Sequence, residues 1–313
     1  MLVDWNGVYP ALTTQFNEED QLSIPLFKKN LAAQLTAGVH GIILAGSLGE
    51  ASVLTLEEKE ILVKSAIEEI AGRVPLILNI AEGATREAIR QVKLAETWGC
   101  AGLMVLPPMR YYSDPRETVA FFSTIASETD LPIMIYNNPV DYKIEVTLPM
   151  FEQLVSYKNI QAVKESTRDP ANVTRLRNRL GDRLKILCGV DTLALEEMVL
   201  GADGWVAGLV CAFPAETVAL YHLVKSGRIQ EALALNRWFM PLLELDIHPK
   251  LVQYIKLAEA QTGIGSERVR APRLTLEGME RKRILEVINQ ALASRPDITG
   301  FLPSPGSTVH VKE

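Results

Sequence analysis

The chain has 313 residues, 48% hydrophobic and 22% charged, with a net charge of −6. That length suffices for one large domain or two smaller ones with a substantial core. The acidic balance, with no Lys/Arg run interleaved with aromatics, excludes a nucleic-acid footprint, and no segment supplies the roughly 18 apolar residues needed to span a bilayer.

The first stretch, MLVDWNGVYPALTTQF, lacks a basic region followed by an apolar run, so it does not read as a secretory signal and a cytoplasmic protein is expected. Short apolar runs then recur at steady spacing: GVYPALT (7–13), GIILAG (41–46), PLILNIA (75–81), GLMVLPP (102–108), PIMIYN (132–137), IQAVKE (160–165), LKILCG (184–189) and GWVAGL (204–209). They are rich in Val, Ile and Leu and do not alternate strictly, the pattern of parallel strands covered on both faces. Helical patterns lie between them. TLEEKEILVKSAIEEIAG (55–72) opens with a capping box, Thr55 and Glu58, and closes on Gly72. TREAIRQVKLAETWG (85–99) is expected to start on a Thr85 cap and end at Gly99, and DPRETVAFFSTIASETD (114–130) to start on Asp114 followed by proline.

Eight strand–helix units in series predict an α/β fold, a (β/α)8 TIM barrel. A doubly wound open sheet is the alternative, but YPALTTQFNEED after the first strand carries no phosphate-binding glycine signature. Further helical stretches follow over 228–245, 248–263 and 275–294. The expected organisation is a barrel over 1–226, a helical C-terminal extension over 227–294, and a Pro/Gly/Ser-rich, poorly ordered tail over 295–313.

In such a barrel the chemistry sits at the C-terminal ends of the strands. Lys164 closes the sixth run, on the same side as Ile160 and Ala162, which is taken as the lumen. A lysine with its stem in a packed barrel loses its charge more easily, and the neutral amine can attack a carbonyl. The competing reading is a snorkelling lysine paired with Glu165. Tyr136 ends the preceding run and is expected about one inter-strand spacing from Lys164. There it could shuttle protons, or be a buried tyrosine with one hydrogen bond. GSLGE (46–50) places Gly46, Ser47 and Leu48 just before a helix, where backbone N–H groups can hold a carboxylate and Ser47 can relay a proton; a plain tight turn would want the same glycines.

Asn138 and Asp141 follow Tyr136 and could contact substrate, although Asn138 also suits a turn. Gly189 and Gly208 close the seventh and eighth runs and leave room for a substrate or for backbone. Cys100, Cys188 and Cys211 form no CxxC pair and read as reduced and buried; the histidines at 40, 222, 248 and 310 lack metal-ligand spacing, so no metal is expected.

GSLGE, IYNNP and AVKES, in that order, resemble the dihydrodipicolinate synthase/N-acetylneuraminate lyase family, with a likeness running from about Trp5 to Ser294. The resemblance implies a Schiff-base lysine at Lys164, a proton-shuttling tyrosine at Tyr136 and a carboxylate-binding loop at Ser47 and Leu48. It also implies a homotetramer, a dimer of dimers, with no cofactor and a small 2-keto acid or cyclic imine carboxylate as substrate. The chain departs from the lysine-biosynthetic synthase in three places. Ser47 and Leu48 stand where two threonines are usual, so one hydroxyl is missing. Asp141 stands where an arginine is usual. The paired tyrosines after the fourth strand fall on Pro108 and Met109, with Tyr111 or Tyr112 as possible substitutes. The wording PPMRYYSDPRET, YNNPVDYKIEVT, DGWVAGLVCAFPAET and HPKLVQYIKL is most similar to bacterial 1-pyrroline-4-hydroxy-2-carboxylate deaminases. Pyruvate-dependent aldolases, 2-keto-3-deoxy acid dehydratases and a non-catalytic keto-acid sensor are the rival expectations on the same barrel.

Overall fold

The computed structural model describes residues 3–301. Eight parallel strands form one sheet: β1 (Gly7–Pro10), β2 (Ile42–Leu44), β3 (Leu76–Ile80), β4 (Gly102–Val105), β5 (Ile133–Asn137), β6 (Ile160–Glu165), β7 (Lys185–Cys188) and β8 (Gly204–Ala207). Each falls within one of the eight apolar runs. The order is β1-β8-β7-β6-β5-β4-β3-β2, and a bridge between Ala11 and Ile43 brings β1 against β2 to close the cylinder. The seam carries Leu12 N–H to Ile43 O at 2.9 Å and His40 N–H to Val8 O at 2.8 Å. The fold is therefore the expected (β/α)8 barrel.

The helices are α1 (Ile24–Ala37), α2 (Leu56–Ile70), α3 (Thr85–Trp98), α4 (Pro115–Ser127), α5 (Pro139–Tyr142), α6 (Leu148–Leu154), α7 (Ala171–Leu180), α8 (Ala194–Val199), α9 (Pro214–Lys225), α10 (Ile229–Leu243), α11 (Leu251–Thr262) and α12 (Gly278–Ala293). The capping box expected at α2 is formed, Thr55 with Glu58, and the Asp114 cap expected at α4 is present and extends to a box with Glu117. Two helix ends differ from expectation. Ala84 rather than Thr85 occupies the N-cap of α3, with no side-chain cap, so Thr85 is already its first helical residue. Ala71 rather than Gly72 is the left-handed cap of α2, and Gly72 follows it at φ 76°.

The core is continuous from Trp5 on β1's approach, through the Ile/Leu/Val side chains of the strands, to Ile288 on α12. Helices α10 to α12 belong to it, because Phe239, Leu242, Tyr254, Leu257 and Ile288 are all buried. Residues 295–301 of the expected tail lie against α9 and α10: Arg295 bonds Glu216, and Arg228 donates to Gly300 O at 3.0 Å. Residues 302–313 lie outside the described residues. Among the described residues no helix is long and apolar enough to cross a membrane, and the three cysteines are free and buried.

One irregularity positions the site. The pairing of β5 with β6 shifts between Ile133 and Met134, which leaves Gln161 as an extra residue on β6. Its side chain accepts from Trp5 Nε1 at 3.1 Å. Beyond the shift the register sets Tyr136 directly beside Lys164.

Candidate active site

Lys164 ends in the lumen with only 7% of its surface exposed. Its Nζ lies 4.0 Å from the centroid of the Tyr136 ring. Gly189 makes room for it: a Cβ there would fall 2.1 Å from Ser166 Oγ and 2.7 Å from Lys164 Cγ. Burial pushes the amine below its ordinary pKa of 10.5, against weaker opposing pulls from Tyr142, Asp246 and Asp191. Glu165, the partner expected of a solvated lysine, is engaged elsewhere. It accepts from Thr167 N–H at 2.8 Å and from Asn172 Nδ2 at 3.0 Å.

The lysine opens into a cavity of about 560 Å³ at the C-terminal mouth of the barrel. Gly46, Ser47, Leu48, Tyr136, Asn138, Asp141, Lys164, Gly189 and Gly208 all line it, so the residues singled out from the sequence at the strand ends meet in one space. Tyr136 is buried, and desolvation raises it to about 12, so it is a neutral phenol at physiological pH. Its hydroxyl accepts from Asn138 Nδ2 at 3.1 Å. The same amide group donates to Asp141 Oδ2 at 2.7 Å, while Asn138 Oδ1 caps α5 by accepting from Asp141 N–H at 3.1 Å. Asn138 thus serves its own turn and the tyrosine together. Asp141 also faces Arg168 at 3.6 Å.

The GSLGE loop is held under strain. Ala45 and Glu50 both take left-handed backbone, at φ 55° and 56°. Neither the Ser47 nor the Leu48 N–H donates to a backbone carbonyl among the described residues, so both are free for an anion. The loop is fastened from the C-terminal helices. Lys256 on α11 is wholly buried, pairs with Glu50 at 2.9 Å and donates to Thr14 O at 2.7 Å. Thr14 Oγ1 donates in turn to Gly49 O at 2.7 Å. Glu259, one helical turn beyond Lys256, accepts from Thr13 Oγ1 at 2.5 Å and Gln15 Nε2 at 2.7 Å. Lys256→Met is therefore expected to cost about 3 kcal/mol, because it removes the nearest cation from the buried Glu50 carboxylate and leaves it Arg273 at 3.8 Å and the Arg270 N–H at 3.1 Å. Urea unfolding followed by circular dichroism checks this; a midpoint within error of the parent would refute the anchoring role.

Sequence reasoning did not find four contributors. Tyr142 packs edge-on against Tyr136, with ring centroids 5.6 Å apart, and its hydroxyl bonds Ser47 Oγ. The hydroxyl missing at Leu48 is thus matched by a phenol on the Ser47 side. Asp191, 1% exposed, accepts from Trp205 Nε1 at 2.9 Å and from Leu209 N–H at 2.7 Å, and so braces the end of β8. Asp246, from the segment joining α10 and α11, lines the cavity, as does Ser166, whose Oγ is buried without a partner. The one available signal was the Asn-Pro pair before Tyr142, which marks a cap and first turn. Tyr111 and Tyr112 are 51% and 78% exposed and do not line this cavity.

Comparison with known proteins agrees with this architecture. Residues 4–291 match the dihydrodipicolinate synthetase family. The chain is 32% identical over 275 residues to the 4-hydroxy-tetrahydrodipicolinate synthase of Exiguobacterium sibiricum, covering 87% of this chain and 92% of that one. It is 30% identical over 224 residues to an uncharacterized DapA-like lyase of Rhizobium meliloti, covering 72% and 74%. The crystal structure of dihydrodipicolinate synthase from Aquifex aeolicus superimposes with a TM-score of 0.87 at 27% identity, covering 91% of this chain and 97% of that one. With its barrel, its lysine and its glycine loop in the places described, this chain belongs to the dihydrodipicolinate synthetase family.

Proposed function

We propose that the protein is a Schiff-base enzyme that converts 1-pyrroline-4-hydroxy-2-carboxylate to 2-oxoglutarate semialdehyde and ammonia, a step of hydroxyproline breakdown. The observation that carries the Schiff-base part is the desolvated Lys164 amine, set over the Tyr136 ring at the floor of the cavity in the barrel mouth. Neutral Lys164 attacks C2 of the cyclic imine and transimination opens the ring, which frees an amine on C5. The iminium acidifies C3, and Tyr136 moves that proton. The C4 hydroxyl then leaves as water, and the double bond migrates to C5. Hydrolysis at C5 releases ammonia, and hydrolysis at C2 returns the lysine: one water leaves and two enter. Ser47 and the free N–H groups of Ser47 and Leu48 hold the carboxylate throughout.

Two features favour this substrate over the dicarboxylate chemistry named for the relatives. Leu48 presents no hydroxyl, and Asp141 puts a negative charge at the mouth, with Arg168 turned onto it at 3.6 Å rather than left free for a second carboxylate. The homotetramer is part of the same proposal, with exposed Tyr111 and Tyr112 as the aromatic groups a neighbouring subunit would meet.

Incubation of the purified protein with the pyrroline should release one ammonia per substrate, measured with a coupled glutamate dehydrogenase assay. Pyruvate released from a 2-keto-3-deoxy acid, with no ammonia from the pyrroline, would favour the aldolase or dehydratase reading. Borohydride that traps no keto acid on Lys164 would favour a sensor. The pH profile has a fixed sign. The neutral amine is the reactive form, so kcat/KM should climb with pH through the lowered Lys164 pKa, and its acidic limb should have a midpoint below 10.5. Stopped-flow rates across pH check this, and a limb at the free-lysine value would contradict a desolvated nucleophile.

A further inference from the structure

The barrel's strand order places β2 and β6 across from one another, four strands apart in either direction. A substrate bonded to Lys164 on β6, with its carboxylate on the loop after β2, spans that diameter. Its remaining carbons must turn to one of the two side walls. The β4 wall presents Met104, an apolar thioether. The β8 wall presents Gly208 and the Asp246 carboxylate. Gly208 has no side chain of its own to offer there: a Cβ on it would fall 2.0 Å from Asp246 Oδ1. Asp246, delivered by the segment between α10 and α11, thus fills the side-chain position that β8 leaves empty.

The other carboxylates near the lysine are occupied. Asp191 accepts from the Gly208 N–H at 3.1 Å, the Leu209 N–H at 2.7 Å and Trp205 Nε1 at 2.9 Å. Asp141 accepts from Asn138 and faces Arg168. No ion pair among the described residues includes Asp246, which lines the cavity with its Oδ1 beside Gly208.

We propose that Asp246 is a further catalytic residue, the acid that hydrogen-bonds the C4 hydroxyl of the Lys164-bound substrate and protonates it as it departs. This rests on the deaminase reading above. The electron pair of the C2=C3 enamine forms the C3=C4 bond while the C4–O bond breaks. The oxygen takes the Asp246 proton and leaves as water, and the proton released from C5 in the following tautomerisation returns to Asp246. The electrostatics point the same way: burial, reinforced by Asp191, raises the Asp246 carboxyl well above the usual range, the direction that favours an acid holding its proton. The carboxylate left after the transfer faces the iminium on Lys164, a charge of opposite sign.

The test is Asp246→Asn, which keeps the shape and a hydrogen-bond donor but has no proton to give. Ammonia release from the pyrroline should fall about 100-fold. Borohydride quenching of the variant should trap on Lys164 the ring-opened adduct that retains its hydroxyl, heavier by one water than the dehydrated adduct trapped from the wild type. That adduct also shows that the variant folds and binds. Asp246→Glu, which keeps an acid, should recover part of the rate. A variant that dehydrates at the wild-type rate, or one that forms no adduct at all, overturns the assignment. Failure of the deaminase reading is distinguishable, because it would appear as a wild-type protein that forms no adduct with the pyrroline.

Discussion

Lys164→Ala is expected to reduce turnover on the order of 10⁴-fold or more, and to abolish the borohydride-stable adduct altogether. Three lysines among the described residues are buried: Lys59, Lys164 and Lys256. Burial alone therefore does not make a nucleophile; the partners decide. Lys256 is clamped by Glu50 at 2.9 Å and two oxygens in all, so its charge is matched and it serves as a strut. Lys59 donates to Gln91 Oε1 at 3.2 Å, with Glu82 at 4.0 Å. Lys164 has a phenol ring beneath it and no carboxylate within an ion-pair distance among the described residues. Of the three, only Lys164 both opens into the cavity and lacks a counter-charge, so neither of the others can take over its role. Mass spectrometry of protein quenched with borohydride and substrate gives the decisive reading. An adduct that persists in Lys164→Ala, or turnover close to wild type, would remove the covalent mechanism.

Tyr136→Phe should leave adduct formation detectable while lowering the overall rate about 10²- to 10³-fold. The ring that supports the Lys164 stem survives this change, so the lysine keeps its place. What disappears is the hydroxyl that Asn138 orients at 3.1 Å, and with it the group that moves the C3 proton. Exchange of C3 hydrogens for deuterium from heavy water, followed by proton NMR, isolates that step. The variant should exchange far more slowly than the parent. Unchanged exchange would assign the proton to another base, with Tyr142 next in line through its contact with Ser47.

The expectations that held best came from periodicity along single segments. The eight apolar runs each became a strand, and the pairing of Tyr136 with Lys164 followed from their places at the ends of adjacent strands. The Thr55 box and the Asp114 cap were readable, although the return bond from Glu117 was not foreseen. The α3 cap was misplaced because Thr85 has the right chemistry, whereas the chain turns one residue earlier, at Ala84. Asp246 and Lys256 were invisible for a deeper reason. Their positions depend on how α10 and α11 pack back over the barrel mouth, and no spacing within residues 228–263 encodes which side chain then overlooks Gly208 or Glu50. Tyr142 lay in a quoted stretch, YNNPVDY, yet its reach to Ser47 depends on α5 being only four residues long.

The fastening of the carboxylate loop by Lys256 has a bearing on how the molecule comes into being. Glu50 waits 206 positions for its counter-ion. A nascent barrel leaving the ribosome has all its strands before it has the strut that sets Ser47 and Leu48 in place. Competence to capture an acid thus arrives only after every strand has been made, and a chain that stops short of Lys256 carries the amine with no finished receptacle beside it.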